Sequence, residues 1–208
     1  MSISKYSAFI FDFDGVIVDS VDVKTEAFEL IYAPYGREVQ DKVKAHHLAN
    51  GGISRFEKFK FYHKNFLDLN ISEAQVDELA NRFSEIVMEK VVNAPYLFNS
   101  LEFIKNNFER NLPQFICTGT PENEILEICA KRNISQYFKG ICGSPLGKTE
   151  LLKNILDTYG YQNSEVVFFG DSINDYQAAI NNNIDFFGCN NHSLKDISLE
   201  YFDDFLSL

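Results

Sequence analysis

Two carboxylates stand one residue apart after a short apolar run: Asp12 and Asp14 follow Ala8-Phe9-Ile10-Phe11, and Gly15 comes next. Two more, Asp171 and Asp175, follow the run Val166-Val167-Phe168-Phe169. Thr118, Gly119 and Thr120 close the run Gln114-Phe115-Ile116-Cys117, and Lys148 follows shortly after Gly140-Ile141-Cys142. Short runs rich in Val, Ile and Phe suit strands buried on both faces. In open parallel sheets, ligands bind outside the carboxyl ends of the strands. These strand ends would therefore present carboxylates, hydroxyls and one lysine on a single rim. Acids gathered so closely repel one another unless a cation neutralises them. Mg²⁺ is the simplest answer, because it takes oxygen ligands and is typically held by one or two carboxylates plus a substrate phosphate. Asp12 and Asp171 are the expected side-chain ligands. For Ser172 and Asn174 a helix-capping role reads as well as a functional one.

The elements that must position these groups are legible in the apolar periodicity. Runs at 8–11, 114–118, 140–142, 166–169 and 184–187 predict strands, and patterns at 121–132, 147–159 and 172–182 predict helices. Strand alternating with helix implies an α/β fold with a doubly wound parallel sheet. Residues 18–92 break the alternation, with helical patterns at 22–35, 38–49, 53–67 and 72–91, the last opened by a capping box at Ser72 and Gln75. Such a block after the first strand reads as an inserted all-helical cap domain, since about 75 residues suffice for a small bundle. The α/β core would then comprise residues 1–17 and 93–208.

The composition narrows the partners. The chain has 208 residues, 45% hydrophobic and 24% charged, as a soluble globular protein does. Its net charge of −11 repels nucleic acid and anionic lipid. That field also opposes any phosphorylated ligand, so attraction must come from local cations or a metal. Cys117, Cys129, Cys142 and Cys189 show no zinc-ligand spacing and read as reduced and structural. Carboxylates interrupt the N-terminus before a signal-peptide core is complete, and no apolar run approaches the ~20 residues of a membrane helix. A cytoplasmic protein, monomeric or homodimeric, is expected.

FDFDGVIVDS at 11–20, Thr118 in FICTGT, Lys148 and GDSINDYQAA at 170–179 resemble, in order, the four motifs of the haloacid dehalogenase (HAD) superfamily. The helical insert falls where that family places a type-1 cap. The resemblance implies a Rossmann-like core and these roles. Asp12 is the nucleophile that forms an aspartyl-phosphate. Asp14 is the acid that protonates the leaving group and then the base that activates water. Thr118 and the backbone N–H groups of Gly119 and Thr120 hold phosphoryl oxygens, and Lys148 balances the charge of Asp12 and the phosphate. Asp171 binds Mg²⁺ with Asp12 and the carbonyl of Asp14, and Asp175 supports the metal shell. On this reading cations depress the pKa of Asp12, while Asp14 stays protonated long enough to donate. The second acid of the DxD pair, typically absent from the dehalogenases and phosphonate hydrolases of the superfamily, points to phosphate esters.

Specificity is expected from the insert. Asn50-Gly51-Gly52-Ile53-Ser54-Arg55 resembles the specificity loop of type-1 caps, including those of phosphoglycolate phosphatases and β-phosphoglucomutases. Arg55 either grips a carboxylate or second phosphate on the substrate or lines a solvated helix face. Lys58 and Lys60 are assigned to that solvated face. His46, His47, His63 and His192 read as surface or core filling, and Phe56 and Phe59 as core. Lys24 stands where the β-phosphoglucomutase pattern has a histidine, a departure from the mutase pattern. A Mg²⁺-dependent phosphatase acting on a small phosphorylated metabolite is the leading reading. A sugar phosphomutase and a non-catalytic binding protein that kept the fold are the alternatives.

Overall fold

Ala8–Phe11 forms β1, with all four side chains buried, at the centre of a parallel sheet. The computed structural model describes residues 3–208. The other strands are β2 (Gln114–Pro121), β3 (Gly140–Ser144), β4 (Val166–Gly170), β5 (Asp185–Gly188) and β6 (Glu200–Tyr201). Their spatial order is β3-β2-β1-β4-β5-β6, the doubly wound arrangement expected from the alternation. Ile10 lies opposite Phe115 on one side and Phe168 on the other; Phe11 lies opposite Ile116 and Phe169. This register brings the carboxyl ends of β1, β2 and β4 to one level. Asp12 extends the ladder by one bond, its N–H donating to the Phe169 carbonyl at 2.9 Å.

Four α-helices occupy residues 21–93, after β1: α1 (Val21–Tyr32), α2 (Arg37–Ala49), α3 (Arg55–Phe66) and α4 (Glu73–Asn93). The Ser72–Gln75 capping box forms as read, and Ser54 caps α3 by accepting from the Glu57 N–H. The remaining helices are α5 (Ser100–Glu109), α6 (Glu122–Lys131), α7 (Lys148–Tyr159) and α8 (Ile173–Asn181). The strand and helix ranges expected from the pattern shift by a few residues at their ends. Two elements were not foreseen. The β6 strand has two residues, too few to show alternation. The α5 helix carries its apolar face at Phe103 and Ile104, a short signal flanked by asparagines.

The two crossings into the helical insert lie side by side. Val18 and Tyr96 form an antiparallel bridge, the Asp19 N–H donates to the Pro95 carbonyl at 2.9 Å, and the Leu97 N–H donates to that of Ile17 at 3.0 Å. Arg132, on the α/β body, donates to the carbonyls of Val91, Val92 and Ala94 at the second crossing. A continuous apolar cluster runs from Phe9, Phe11 and Phe169 of the sheet to Phe28, Phe59 and Phe83 of the insert. Phe59 is fully buried there, as core. Among the described residues no helix is long and apolar enough to cross a membrane.

Candidate active site

The strand register delivers Asp12, Asp14, Thr118, Gly119, Thr120 and Asp171 to one wall of a cavity of about 530 Å³ between the sheet and the helical insert. Asp12, Asp171 and Asp175 each offer a carboxylate oxygen, and these atoms lie within 4.8 Å of one another. Gly15 makes that convergence possible. Its φ is +78°, and a Cβ there would sit 2.1 Å from an oxygen of Asp171, so a side chain at this turn would expel the carboxylate.

Lys148 is the counter-charge buried in this cluster. It pairs with Asp12 Oδ2 at 2.6 Å and with Asp175 Oδ1. Burial works against its charge, but Asp12 and Asp175 outweigh that and hold its pKa well above the ordinary value. Asp175 has its other oxygen on Ser172, accepting from the backbone N–H at 3.1 Å and from Oγ at 2.7 Å. Asp175 therefore positions Lys148 and closes the Ser172 cap of α8, which fits a supporting place behind the metal shell. The capping reading of Ser172 holds: its hydroxyl also accepts from the Asp175 N–H.

One lysine does not neutralise these acids. Burial raises the Asp12 carboxyl to about 7, against the pull of Lys148 and with the push of Asp175 and Asp14. Burial and the charges of Asp12 and Asp175 also raise Asp171 well above the carboxylate range. The expected depression of Asp12 therefore does not arise from the protein's own cations. Asp171 draws no side-chain hydrogen bond among the described residues; only its backbone carbonyl is engaged, by Asn191 at 3.0 Å. A half-buried carboxylate left without a donor, beside an under-compensated Asp12, fits a hard divalent cation and its oxygen chemistry.

Asp14 departs from its expected state in the opposite direction. Burial pushes it up, but Lys24 pairs with Oδ2, Ser20 donates to Oδ1 at 2.6 Å, and Thr120 Oγ1 donates to Oδ2 at 3.0 Å. Together they hold its pKa below the usual range. In this geometry Asp14 is a carboxylate ready to accept a proton, and it must first acquire one before it can donate. Lys24 also donates to Thr120 Oγ1 at 2.7 Å, so a cation of the insert reaches the rim directly. The sequence shows Lys24 four residues beyond Ser20, at the start of α1, but gives no hint that both turn onto Asp14. The Thr120 N–H donates to Thr118 Oγ1 at 3.3 Å, so it is shared within the loop.

The insert presses on this rim. A Cβ on Gly119 would meet the Gly52 carbonyl at 2.5 Å, and Asn174 donates to the Gly51 carbonyl at 2.6 Å. Asn174 is thus a contact to the specificity loop. Arg55 is neither a solvated residue nor a free grip for substrate. It is 4% exposed, lies over the Phe83 ring, and forks onto Glu124 of α6 at 2.6 and 2.8 Å. Lys58 also departs from its expected solvated face: it is 2% exposed, lines the cavity, and lies 2.9 Å from His47 Nδ1. His47 lines the cavity as well, rather than only filling the core. Lys60 is on the surface as expected, paired with Glu73 at 3.0 Å.

Known proteins carry the same architecture. The model of the haloacid dehalogenase-like hydrolases matches residues 9–189. A phosphoglycolate phosphatase of Photorhabdus laumondii is 27% identical over 179 residues, covering 83% of this chain and 75% of that protein. A phosphorylated carbohydrates phosphatase of Thermotoga maritima is 26% identical, covering 91% and 87%. The crystal structure of a β-phosphoglucomutase from Clostridium difficile superposes with a TM-score of 0.81 at 19% identity, covering 98% and 93%, and shares the fold.

Proposed function

Because the chain belongs to the haloacid dehalogenase-like hydrolase family, we propose that it is a Mg²⁺-dependent phosphatase that hydrolyses a small phosphorylated metabolite through an aspartyl-phosphate. The enzyme is a phosphoric monoester hydrolase, and residues 18–92 act as its cap. The observation that carries this reading is the meeting of Asp12, Lys148, Asp171 and Asp175, with Asp12, Asp171 and Asp14 on the wall of the cavity.

Asp12 attacks phosphorus in line with the ester oxygen, and the bond from phosphorus to that oxygen breaks. Asp14, once protonated, gives its proton to the departing oxygen. It then takes a proton from the water that attacks the aspartyl-phosphate, releasing inorganic phosphate and restoring Asp12. Thr118 and the N–H of Gly119 hold phosphoryl oxygens, and Lys148 keeps Asp12 oriented by its 2.6 Å contact. Asp12, Asp171 and the Asp14 carbonyl, with Asp175 behind them, would hold Mg²⁺, which would supply the positive charge that lets a carboxylate and a phosphate approach. The insert, docked over the rim, shields the site from bulk water during the first transfer. The setting proposed is the cytoplasm, with the four cysteines as free thiols, and the enzyme acting as a monomer or homodimer.

The test is phosphate release from a panel of phosphorylated metabolites and from p-nitrophenyl phosphate, with Mg²⁺ and with EDTA. Mg²⁺-dependent release, abolished in Asp12→Asn, is the expected result. Isomerisation of a sugar phosphate without net phosphate release would establish the mutase instead, and inertness toward every ester would leave only a binding protein.

A further inference from the structure

Three cations reach the cavity wall from the helical insert: Lys24, Arg55 and Lys58. Two are committed. Lys24 pairs with Asp14, and Arg55 forks onto Glu124 and also donates to Ser84 Oγ at 2.7 Å. Lys58 has no carboxylate within ion-pairing distance among the described residues. Among the described residues the one hydrogen-bond partner of its ammonium is His47 Nδ1, and the ammonium lies 5.7 Å from the Phe28 ring centroid. An ammonium carries three donors and no acceptor, so two N–H bonds are left for a ligand. For a lysine 2% exposed this is an uncompensated buried charge.

The surroundings fix the polarity of what it receives. His47 is 7% exposed, and its pKa is pushed down to about 2 by burial and by the charges of Lys58 and Lys24. Its ring is therefore neutral and accepts at Nδ1 from Lys58. Lys58 itself is pushed down to about 7 by burial and by Lys24 and Lys148, against the weaker pull of Asp14 and Asp171. An anion docked on it would relieve both penalties. A neutral hydroxyl would accept one N–H bond but bring no opposite charge.

Resting on the phosphatase reading, we propose that Lys58, positioned by His47, is the specificity-determining cation of the cavity and selects phosphate monoesters whose leaving group carries a second anionic group, a carboxylate or a phosphate. Arg55, one helical turn earlier on α3, holds the insert against α6 and does not read the substrate. The Lys58 position also answers the field of a chain of net charge −11: a local cation on the insert offsets the repulsion that a doubly anionic substrate meets.

The experiment measures affinity in the Asp12→Asn protein, which needs no turnover. Calorimetry with Mg²⁺ compares propyl phosphate with 2-carboxyethyl phosphate and with 1,3-propanediol bisphosphate. The expected result is that at least one anionic ester binds ~10-fold or more tightly than propyl phosphate. Asp12→Asn/Lys58→Met shrinks that ratio to within about threefold, and Asp12→Asn/Lys58→Gln does the same with a polar head still facing His47. Which of the two esters gains distinguishes carboxylate from phosphate. Equal affinity for all three esters overturns the proposal without any Lys58 variant. A preference that survives a folded Lys58 variant also overturns it. Failure of the unsubstituted enzyme to hydrolyse any ester would sink the phosphatase reading separately, leaving these ratios legible.

Discussion

Asp12, Asp14 and Asp171 stand just beyond the ends of adjacent paired strands, whereas Lys24, Arg55 and Lys58 stand on helices of the insert and face them across the cavity. The acids are set by a parallel ladder in which Phe11 is flanked by Ile116 and Phe169. The cations are set by how the insert docks: Lys24 on Asp14, Arg55 on Glu124, Gly52 against Gly119. The rim is under-compensated in positive charge and the insert wall in negative charge. Docking the two walls neutralises part of each, and on the proposals above the excess left on each side selects the ligand: a divalent cation at Asp12 and Asp171, an anion at Lys58. On that reading the sheet wall carries the chemistry and the insert wall the selection.

The strongest way to break this contrast is Asp14→Asn. It removes the group through which the rim gives and takes protons while leaving a hydrogen-bonding head for Ser20 and Thr120. Phosphate release should fall by ~10²–10⁴ in kcat, with far less change in KM. Unchanged kcat would strip Asp14 of its role and make Lys24 a structural contact only.

Glu124→Ala addresses the docking wall. Arg55 would be left buried over Phe83 without its carboxylate, and stability should drop by about 3–5 kcal/mol, read from urea unfolding by circular dichroism. A loss below about 0.5 kcal/mol would mean that Arg55 is already hydrated in solution and that the insert stands open.

A smaller effect separates the two walls by pH. In the metal-free fold Asp12 is raised to about 7 and Asp171 is raised as well, so both hold protons that the unfolded chain releases near pH ~4. Folding stability of the metal-free protein therefore declines as pH rises from about 4 toward about 7. Mg²⁺ competes with those protons and should raise the melting temperature more at pH 7.5 than at pH 5; at ~100-fold excess over its Kd it stabilises the fold by about 2.7 kcal/mol. Asp14 works in the other sense: held low, it stabilises the fold above pH ~4 and loses that contribution as pH falls further. Equal melting shifts at both pH values would detach the metal from Asp12 and Asp171.

How much of this was legible depends on how local each cause is. The alternation of apolar runs with helical patterns specified the doubly wound sheet, and the residue after each buried run specified which acids meet, because parallel strands in register bring their carboxyl ends to one level. Asp12, Asp14, Thr118, Lys148 and Asp171 could be named from sequence on that ground. Ser72 and Gln75 were equally legible, since a capping box is closed within four residues. The β6 strand escaped because pairing with β5, not its own pattern, makes it a strand.

The sequence by itself determined the sheet, the acidic rim and the place of the helical insert, since each follows from short-range periodicity or from a residue's position at a strand end. Only the tertiary structure decided the partners of the cations. Arg55 and Lys58 sit one turn apart on α3, so spacing puts them on one face but does not say what that face meets. Glu124 lies 69 positions beyond Arg55, and docking of the insert on α6 joins them. The same docking turns Lys24 onto Asp14, while packing of α2 against α3 within the insert sets Lys58 on His47. Charge compensation in a buried site depends on contacts between segments far apart in the chain, and those contacts exist only once the insert and the sheet have packed together.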